Sequence, residues 1–143
     1  MTPTPTRPSI RSACLYTDGA ARGNPGPAAI GIVLTTAEGK EIEAFGEMIG
    51  EATNNEAEYR ALLRGLERAS FHHFDALVIK TDSELVAYQL NGRYRVRAEN
   101  LKRLFAAVRG ALKRFSHVTI DPIPRERNRR ADWLANRALD NSS

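Results

Sequence analysis

The chain has 143 residues, a formal net charge of +4 at pH 7 and a pI near 9.6. This length predicts one domain, and a lone cysteine, Cys14, excludes a disulfide framework and a cysteine-based metal cluster. No apolar run approaches the ~20 residues of a membrane span, which favours a cytoplasmic protein with no membrane partner.

The N-terminal residues differ in composition from the rest of the chain. Residues 1–11 are rich in proline and threonine and lack the apolar core of a signal peptide, so we expect a disordered leader. No linker or internal repeat divides the residues after this leader. We therefore expect one domain over 12–140 and a short tail over 141–143.

Three strands and a helix are predicted over the first half of this domain. Short apolar runs separated by turn residues predict a meander of strands. These strands cover 13–17, 28–35 and 41–49. Thr53, Asn54 and Asn55 can cap the following helix, in which Glu58 is a polar member of an apolar stripe at helical spacing.

The second half alternates strands and helices. A continuous apolar run over 76–81 predicts a buried strand that ends in Asp82, and a fifth strand is predicted over 117–124. Helices are predicted over 83–90, over about 98–115 and from about residue 128. This order predicts an α/β fold with a five-stranded mixed sheet, antiparallel over the first three strands and parallel thereafter, flanked by helices.

Positive charge is concentrated in the C-terminal part of the chain. Residues 1–92 hold 8 Lys and Arg against 12 Asp and Glu, whereas residues 93–143 hold 13 against 5. The basic stretches could follow a phosphate backbone, and a solvated helix face explains some of them equally well. Apart from Tyr94, which stands between Arg93 and Arg95, aromatic residues do not alternate with them, so the sequence does not indicate a platform on which bases stack.

Four acidic residues are placed where they can meet. Asp18 and Asp82 each end an apolar strand, and Glu58 and Asp132 lie near helix starts, on or beside the buried side. In open α/β sheets the carboxyl ends of strands and the starts of helices line one crevice. Such a cluster is costly unless divalent cations neutralise it, and oxygen ligands suit Mg²⁺ or Mn²⁺. Together with the basic flanks, the four acids favour metal-assisted chemistry on a phosphate.

Each acid also has a simpler interpretation. Asp18 precedes a glycine in a common turn sequence, and Asp82 with Ser83 can cap a helix. Glu58 and Asp132 can each stabilise a helix N-terminus electrostatically. Only the coincidence of all four favours the metal site.

Four sequence blocks resemble the signature blocks of type 1 ribonuclease H, in family order from Thr17 to about Asp140. They are TDGAARGNPGPAAIG, TNNEAEYRAL, KTDSE and NRRADWLANRA. The resemblance implies the ribonuclease H-like fold and a monomer that cleaves the RNA strand of RNA/DNA hybrids endonucleolytically. It also implies two Mg²⁺ ions, for which Mn²⁺ can substitute, and products with 5′-phosphate and 3′-hydroxyl ends.

The resemblance carries the family's catalytic, metal-binding set onto Asp18, Glu58, Asp82 and Asp132. The family pattern selects Glu58 rather than Glu56 in the second block. Helical spacing agrees, because Glu58 lies four residues before an apolar residue of the inward stripe.

Four polar residues match family positions that contact the substrate. Asn24, Asn54 and Asn55 match positions that read the minor groove of the hybrid, where 2′-hydroxyls identify RNA. Thr53 matches part of a pocket for a phosphate of the DNA strand. All four residues also suit turns and helix caps.

Two features depart from the family pattern, as in an archaeal-like branch of the family. The segment NGRYRVRAENLKRL is too short for the basic helical extension of many members, and the loop PIPRERNRRAD lacks the usual histidine. Arg125, Glu126 and Arg127 are the candidates to substitute for that histidine, and we expect Arg125 to do so, because it directly follows the strand-ending Pro124.

Two other functions remain open on the sequence. A non-catalytic module that binds hybrids or duplexes can share the fold, although the intact acid set argues against it. A related nuclease such as a transposase-like domain would act on DNA, although the Thr-Asn-Asn block and the small size favour the hybrid.

Overall fold

The structure, a computed structural model, describes residues 10–141. Most of the expected leader, residues 1–9, and the end of the expected tail, residues 142–143, lie outside the described residues. Over the described part, no helix combines the length and the apolar character that crossing a membrane requires.

Five strands form one mixed sheet in the order β3-β2-β1-β4-β5. They are β1 (Ser12–Ala21), β2 (Gly26–Thr36), β3 (Glu41–Ala52), β4 (Ala76–Thr81) and β5 (His117–Pro122). The first three pair antiparallel, and β4 pairs parallel to both β1 and β5. The predicted fold class is therefore confirmed.

Four α-helices and one short 3-10 helix flank the sheet. They are α1 (Asn54–Phe71), α2 (Glu84–Leu90), α3 (Glu99–Leu112), the 3-10 helix Arg125–Arg127 and α4 (Arg129–Asp140). Helix α1 packs on β1 and β2, and α3 packs against α1. Helix α4 packs on β2, β3 and β1. Gly19 of β1 faces α1, and Gly31 of β2, which follows the ladder partner of Gly19, faces α4. Adjacent positions of a strand face opposite sides of the sheet, so the two helices cover opposite faces.

The core forms between the sheet and α1 to α3. Side chains from β1, β2, β4 and the inward faces of these helices are fully buried there. The largest are Leu15, Ile30, Ile32, Leu34, Tyr59, Leu62, Leu66, Ile79, Val86 and Val108. The apolar stripe predicted for α1 is buried, and Glu58 is buried with it.

Strand β1 differs from its prediction in a way that matters for Asp18. The strand continues to Ala21, because it pairs antiparallel with β2 as far as the partners Ala21 and Ala28. Asp18 therefore lies inside a strand, and the expectation that it ends one is wrong. What ends there is the parallel pairing with β4, whose last partners are Thr17 and Thr81.

The two long C-terminal helices also differ from their predictions. Helix α3 ends at Leu112 rather than near residue 115. The buried residues of α4 are Ala131, Ala135 and Leu139, whereas Leu134, predicted on the inner face, is only half-buried. Leu134 lies against Gly46 of β3, which is an edge strand of the sheet, so this side of α4 is less covered than the side that faces β2.

Candidate active site

The site lies where β1 and β4 stop pairing. Asp18 and Asp82 each come directly after the last pair of the parallel ladder, so they occupy matching positions on neighbouring strands. Both side chains line one cavity of about 440 Å³. Only 6% of Asp18 is exposed.

Glu58 enters this cavity from α1. Its Oε1 accepts a hydrogen bond from the backbone N–H of Gly19, and only 6% of the residue is exposed. The helix backbone approaches β1 so closely that a Cβ added at Gly19 would lie 2.3 Å from the carbonyl carbon of Ala57. The absence of a side chain at Gly19 therefore sets how far Glu58 reaches into the site.

Asp132 enters from the other face of the sheet, on the first turn of α4. Gly31 is the β2 partner of Asp18, and a Cβ there would lie 1.9 Å from the backbone oxygen of Ala131. This close approach brings the start of α4 beside Asp18. The Asp132 side chain keeps 31% of its surface exposed.

The carboxylates are electrostatically unfavourable in the absence of cations. Ligand atoms of Asp18, Glu58 and Asp82 lie within 4.8 Å of one another. Burial raises the pKa of Asp18 from 3.8 to about 10, and the charges of Glu58 and Asp82 contribute to this rise. Burial also raises the pKa of Glu58, although the Gly19 N–H opposes this effect.

The pKa of Asp82 is raised by burial, and Arg125 partly offsets the shift. The cluster therefore cannot hold all its negative charges without positive charge beside it. Acidic oxygen donors fit hard divalent cations such as Mg²⁺ and Mn²⁺. Asp18, Glu58 and Asp82 can hold a cation together, and Asp132 offers a further carboxylate in the same cavity.

Glu56 lies outside this cluster. Its Oε1 accepts from the backbone N–H of Thr53 at 2.7 Å, and Thr53 Oγ1 accepts from the N–H of Glu56 at 3.2 Å. These two bonds form a capping box at the start of α1. The backbone bond from Thr53 is the main favourable contribution that lowers the pKa of Glu56.

The residues expected to contact the substrate lie at or near the start of α1. Asn54 lines the cavity, and its backbone N–H donates to Oδ1 of Asn24 at 3.0 Å. Thr53 is the N-cap, and Asn55 lies half-buried in the first turn. Their interpretation as caps therefore holds for Asn24 and Thr53, and their contact with a substrate stays a prediction.

Arg125 lines the cavity from the 3-10 helix. Its guanidinium nitrogen lies 3.7 Å from Oδ1 of Asp132, and 80% of the side chain is exposed. Neither Glu126 nor Arg127 lines the cavity. Of these three loop residues, Arg125 is thus the one placed beside the acids.

Two asparagines contact the acids, and the sequence did not predict this role for either of them. Asn128 is 1% exposed, and its Nδ2 donates to the backbone oxygen of Thr17 at 2.9 Å. Its amide also lies close enough to Asp82 to lower the pKa of that carboxyl. The sequence marks Asn128 only as a helix start, and it does occupy the N-cap position, but its side chain makes no capping bond.

Asn136 is the second of these asparagines. It lines the cavity, and its Nδ2 donates to Oδ1 of Asp132 at 3.1 Å and to the backbone oxygen of Asp132 at 2.9 Å. The bond fixes the carboxylate of Asp132 on its helix. Its spacing of four residues from Asp132 was the signal in the sequence that could have identified it.

The chain is similar to several known proteins. A family model described as reverse transcriptase-like matches residues 16–138. Ribonuclease HI of Halobacterium salinarum is 46% identical over 127 residues, which cover 89% of this chain and 64% of the relative. The crystal structure of RNase H1 from that archaeon matches with a TM-score of 0.90 and 44% identity, covering 92% of this chain and 99% of the other.

A further solved structure, LC11-RNase H1 in complex with RNA/DNA hybrid, matches with a TM-score of 0.86 and 41% identity, covering 91% of this chain and 98% of the other. The bifunctional protein Rv2228c of Mycobacterium tuberculosis is 40% identical over 124 residues, or 86% of this chain and 34% of the relative. This chain thus spans less than two thirds of the length of these curated relatives.

Proposed function

Since the chain belongs to the type 1 ribonuclease H family, we propose that it hydrolyses the RNA strand of RNA/DNA hybrids endonucleolytically. The observation that carries this proposal is the convergence of Asp18, Glu58, Asp82 and Asp132 on one cavity. We assign these four carboxylates as the catalytic, cation-binding residues. Products would carry 5′-phosphate and 3′-hydroxyl ends.

The four acids divide naturally between two cation positions. Two Mg²⁺ ions, for which Mn²⁺ can substitute, would supply activation of the attacking water and stabilisation of the leaving 3′-oxygen. Asp18 interacts with Glu58, Asp82 and Asp132, so it is the residue we expect to serve both positions. Glu58 and Asp82 would complete the position for the ion that activates water, and Asp132 would complete the other.

The surrounding residues keep these carboxylates in place. The Gly19 N–H holds one oxygen of Glu58, and Asn136 holds Oδ1 of Asp132. Each bond leaves the other oxygen of that carboxylate for a cation. Because both donors are neutral, they orient the acids without competing for their charge.

We assign recognition of the hybrid to the surface beside the cavity. Asn24, Asn54 and Asn55 would contact the minor groove, and Thr53 a phosphate of the DNA strand. The connection from α2 to α3 covers 91–98 without a helix, and its arginines at 93, 95 and 97 are exposed. These charges support binding of a polyanion. A monomeric state and a cytoplasmic location stay predictions.

The proposal is tested with end-labelled RNA/DNA, RNA/RNA and DNA/DNA duplexes, each with Mg²⁺, Mn²⁺ or EDTA. We expect cleavage of the RNA strand of the hybrid with either cation and none in EDTA. Binding of the hybrid without cleavage in any cation would instead identify a non-catalytic module. Cleavage of the DNA duplex in preference to the hybrid would identify a transposase-like nuclease.

The assignment of Glu58 rather than Glu56 predicts opposite results for two matched substitutions. Glu58→Gln should lower hybrid cleavage more than about a hundredfold, since even the partners of metal ligands cost 10- to 100-fold when changed. Glu56→Gln should leave the rate near that of the parent, because Gln can still form the capping box. Initial rates at saturating Mg²⁺ measure both, and equal losses would overturn the assignment.

The role proposed for Arg125 predicts a change in product release. Because its guanidinium stays protonated, it cannot act as a base, but from its position beside Asp132 it can compete with the cations for the phosphate end of the product and so draw that product out of the site. Arg125→Ala should lower the steady-state rate about tenfold and leave single-turnover cleavage nearly unchanged. Glu126→Gln and Arg127→Ala serve as controls, and three variants with parental rates would contradict the role.

A further inference from the structure

The outer side of α4 carries an exposed aromatic residue between two arginines. Trp133 is 50% exposed, and the guanidinium carbon of Arg137 lies 4.9 Å from the centre of its ring. Arg129, four residues before Trp133, is also exposed. Residues spaced by four share one side of a helix, so the three form one surface, called here the Trp133 surface.

This surface borders the cavity that holds the acids. Asp132 and Asn136 both line the cavity, and each immediately precedes a member of the Trp133 surface. Consecutive residues are separated by about 100° around a helix, so the cavity and the surface occupy adjoining sides of α4. A strand that leaves the cavity on this side would therefore meet Trp133.

The charge of the Trp133 surface is not neutralised by the residues that the structure describes. Arg130 pairs with Glu41 at 2.8 Å, and Asp140 pairs with Arg22. Among residues 10–141, by contrast, no carboxylate lies within 4.0 Å of a guanidinium nitrogen of Arg129 or Arg137. The surface thus presents two positive charges and an aromatic ring.

We propose that the Trp133 surface binds a single-stranded stretch of nucleic acid that adjoins the hybrid. A base would stack on Trp133 while Arg129 and Arg137 contact phosphates. A paired base cannot do this, because both its faces are already stacked in the duplex. The surface therefore fits an unpaired extension. That a hybrid occupies the neighbouring cavity rests on the proposed function.

Helical spacing is what creates this surface. In the linear sequence the ring and the arginines are separated by other residues, so no alternation of basic and aromatic residues is visible. The stacking platform proposed on α4 is thus one that the linear sequence does not indicate.

The chain contains one tryptophan, so its fluorescence reports on this surface directly. We expect a single-stranded DNA oligonucleotide to quench the fluorescence of the full chain, with weaker binding at 200 mM than at 50 mM salt. The double variant Arg129→Ala/Arg137→Ala should bind this oligonucleotide at least about fivefold more weakly.

Binding of hybrids with and without an unpaired extension provides the second measurement. The extension should increase the affinity of the parent chain at least about fivefold, and Trp133→Ala should remove this gain while Trp133→Phe retains most of it. Phe71→Ala is the matched control, because Phe71 is 63% exposed and lies under Arg68. It is about 20 Å from Glu58 along α1 and should keep the gain.

Absence of quenching by the oligonucleotide would overturn the proposal, as would equal binding of blunt and extended hybrids. Stronger quenching by polyglutamate than by the oligonucleotide would also overturn it and indicate an acidic protein partner. Cleavage of blunt hybrids is measured separately. If blunt hybrids are not cleaved but the oligonucleotide still quenches the fluorescence, the proposed function is contradicted and the proposed single-strand binding is not.

Discussion

Asp18→Asn is expected to abolish hybrid cleavage and, in the same protein without cations, to raise the melting temperature. Cleavage is lost because Asp18 interacts with all three other acids and is the residue proposed to serve both cations. Stability is gained because burial and the neighbouring carboxylates disfavour its charged form.

The raised pKa of Asp18 determines the sign of the pH dependence. Its carboxyl pKa is raised from 3.8 to about 10 on folding, so between these values the folded state holds a proton that the unfolded state releases. Stability therefore falls as pH rises through this window, by an amount on the order of a few kcal/mol. Asn does not titrate, so the variant should lose less stability over the same range.

Thermal melts at pH 5 and pH 8, in EDTA and in Mg²⁺, measure this effect. The parent should lose stability at pH 8 in EDTA and regain it in Mg²⁺, whereas Asp18→Asn should respond weakly to both. Glu38→Gln, in the exposed turn between β2 and β3, is the control and should behave as the parent. A variant that melts like the parent under all four conditions would contradict the electrostatic account.

Most of the fold could be predicted from the sequence, because its signals are local. Apolar runs, helical spacing and cap residues are properties of short segments, and they predicted all five strands and the α-helices. The extension of β1 to Ala21 could not be predicted in this way. Asp18-Gly19-Ala20-Ala21 has no strand pattern, and it is extended because β2 pairs with it.

The acids of the site were recognisable because each belongs to a distinctive block of sequence. The supporting residue Asn128 was not, because its partner is distant in the chain. Asn128 bonds to Thr17 across 111 positions, and no local pattern marks that pair. The same holds for the close backbone approaches at Gly19 and Gly31, which depend on how α1 and α4 pack.

Those close approaches predict a large effect for a small substitution. A Cβ at Gly19 would lie 2.3 Å from the carbonyl carbon of Ala57 and 2.4 Å from the backbone nitrogen of Glu58. Because both are backbone atoms, no side chain can move aside, and α1 itself must shift. Gly19→Ala should therefore destabilise the protein by about 1–3 kcal/mol or more and displace Glu58 from the cations.

Gly110→Ala is the matched control for Gly19→Ala. Gly110 lies inside α3, where an added Cβ would meet no atom within 4 Å. The substitution should stabilise the protein by about 0.5–1 kcal/mol, because Ala favours the helix, and should leave cleavage unchanged. Urea unfolding and initial cleavage rates distinguish the two variants. If Gly19→Ala unfolds and cleaves as the parent does, then the packing of α1 on β1 does not set the position of Glu58.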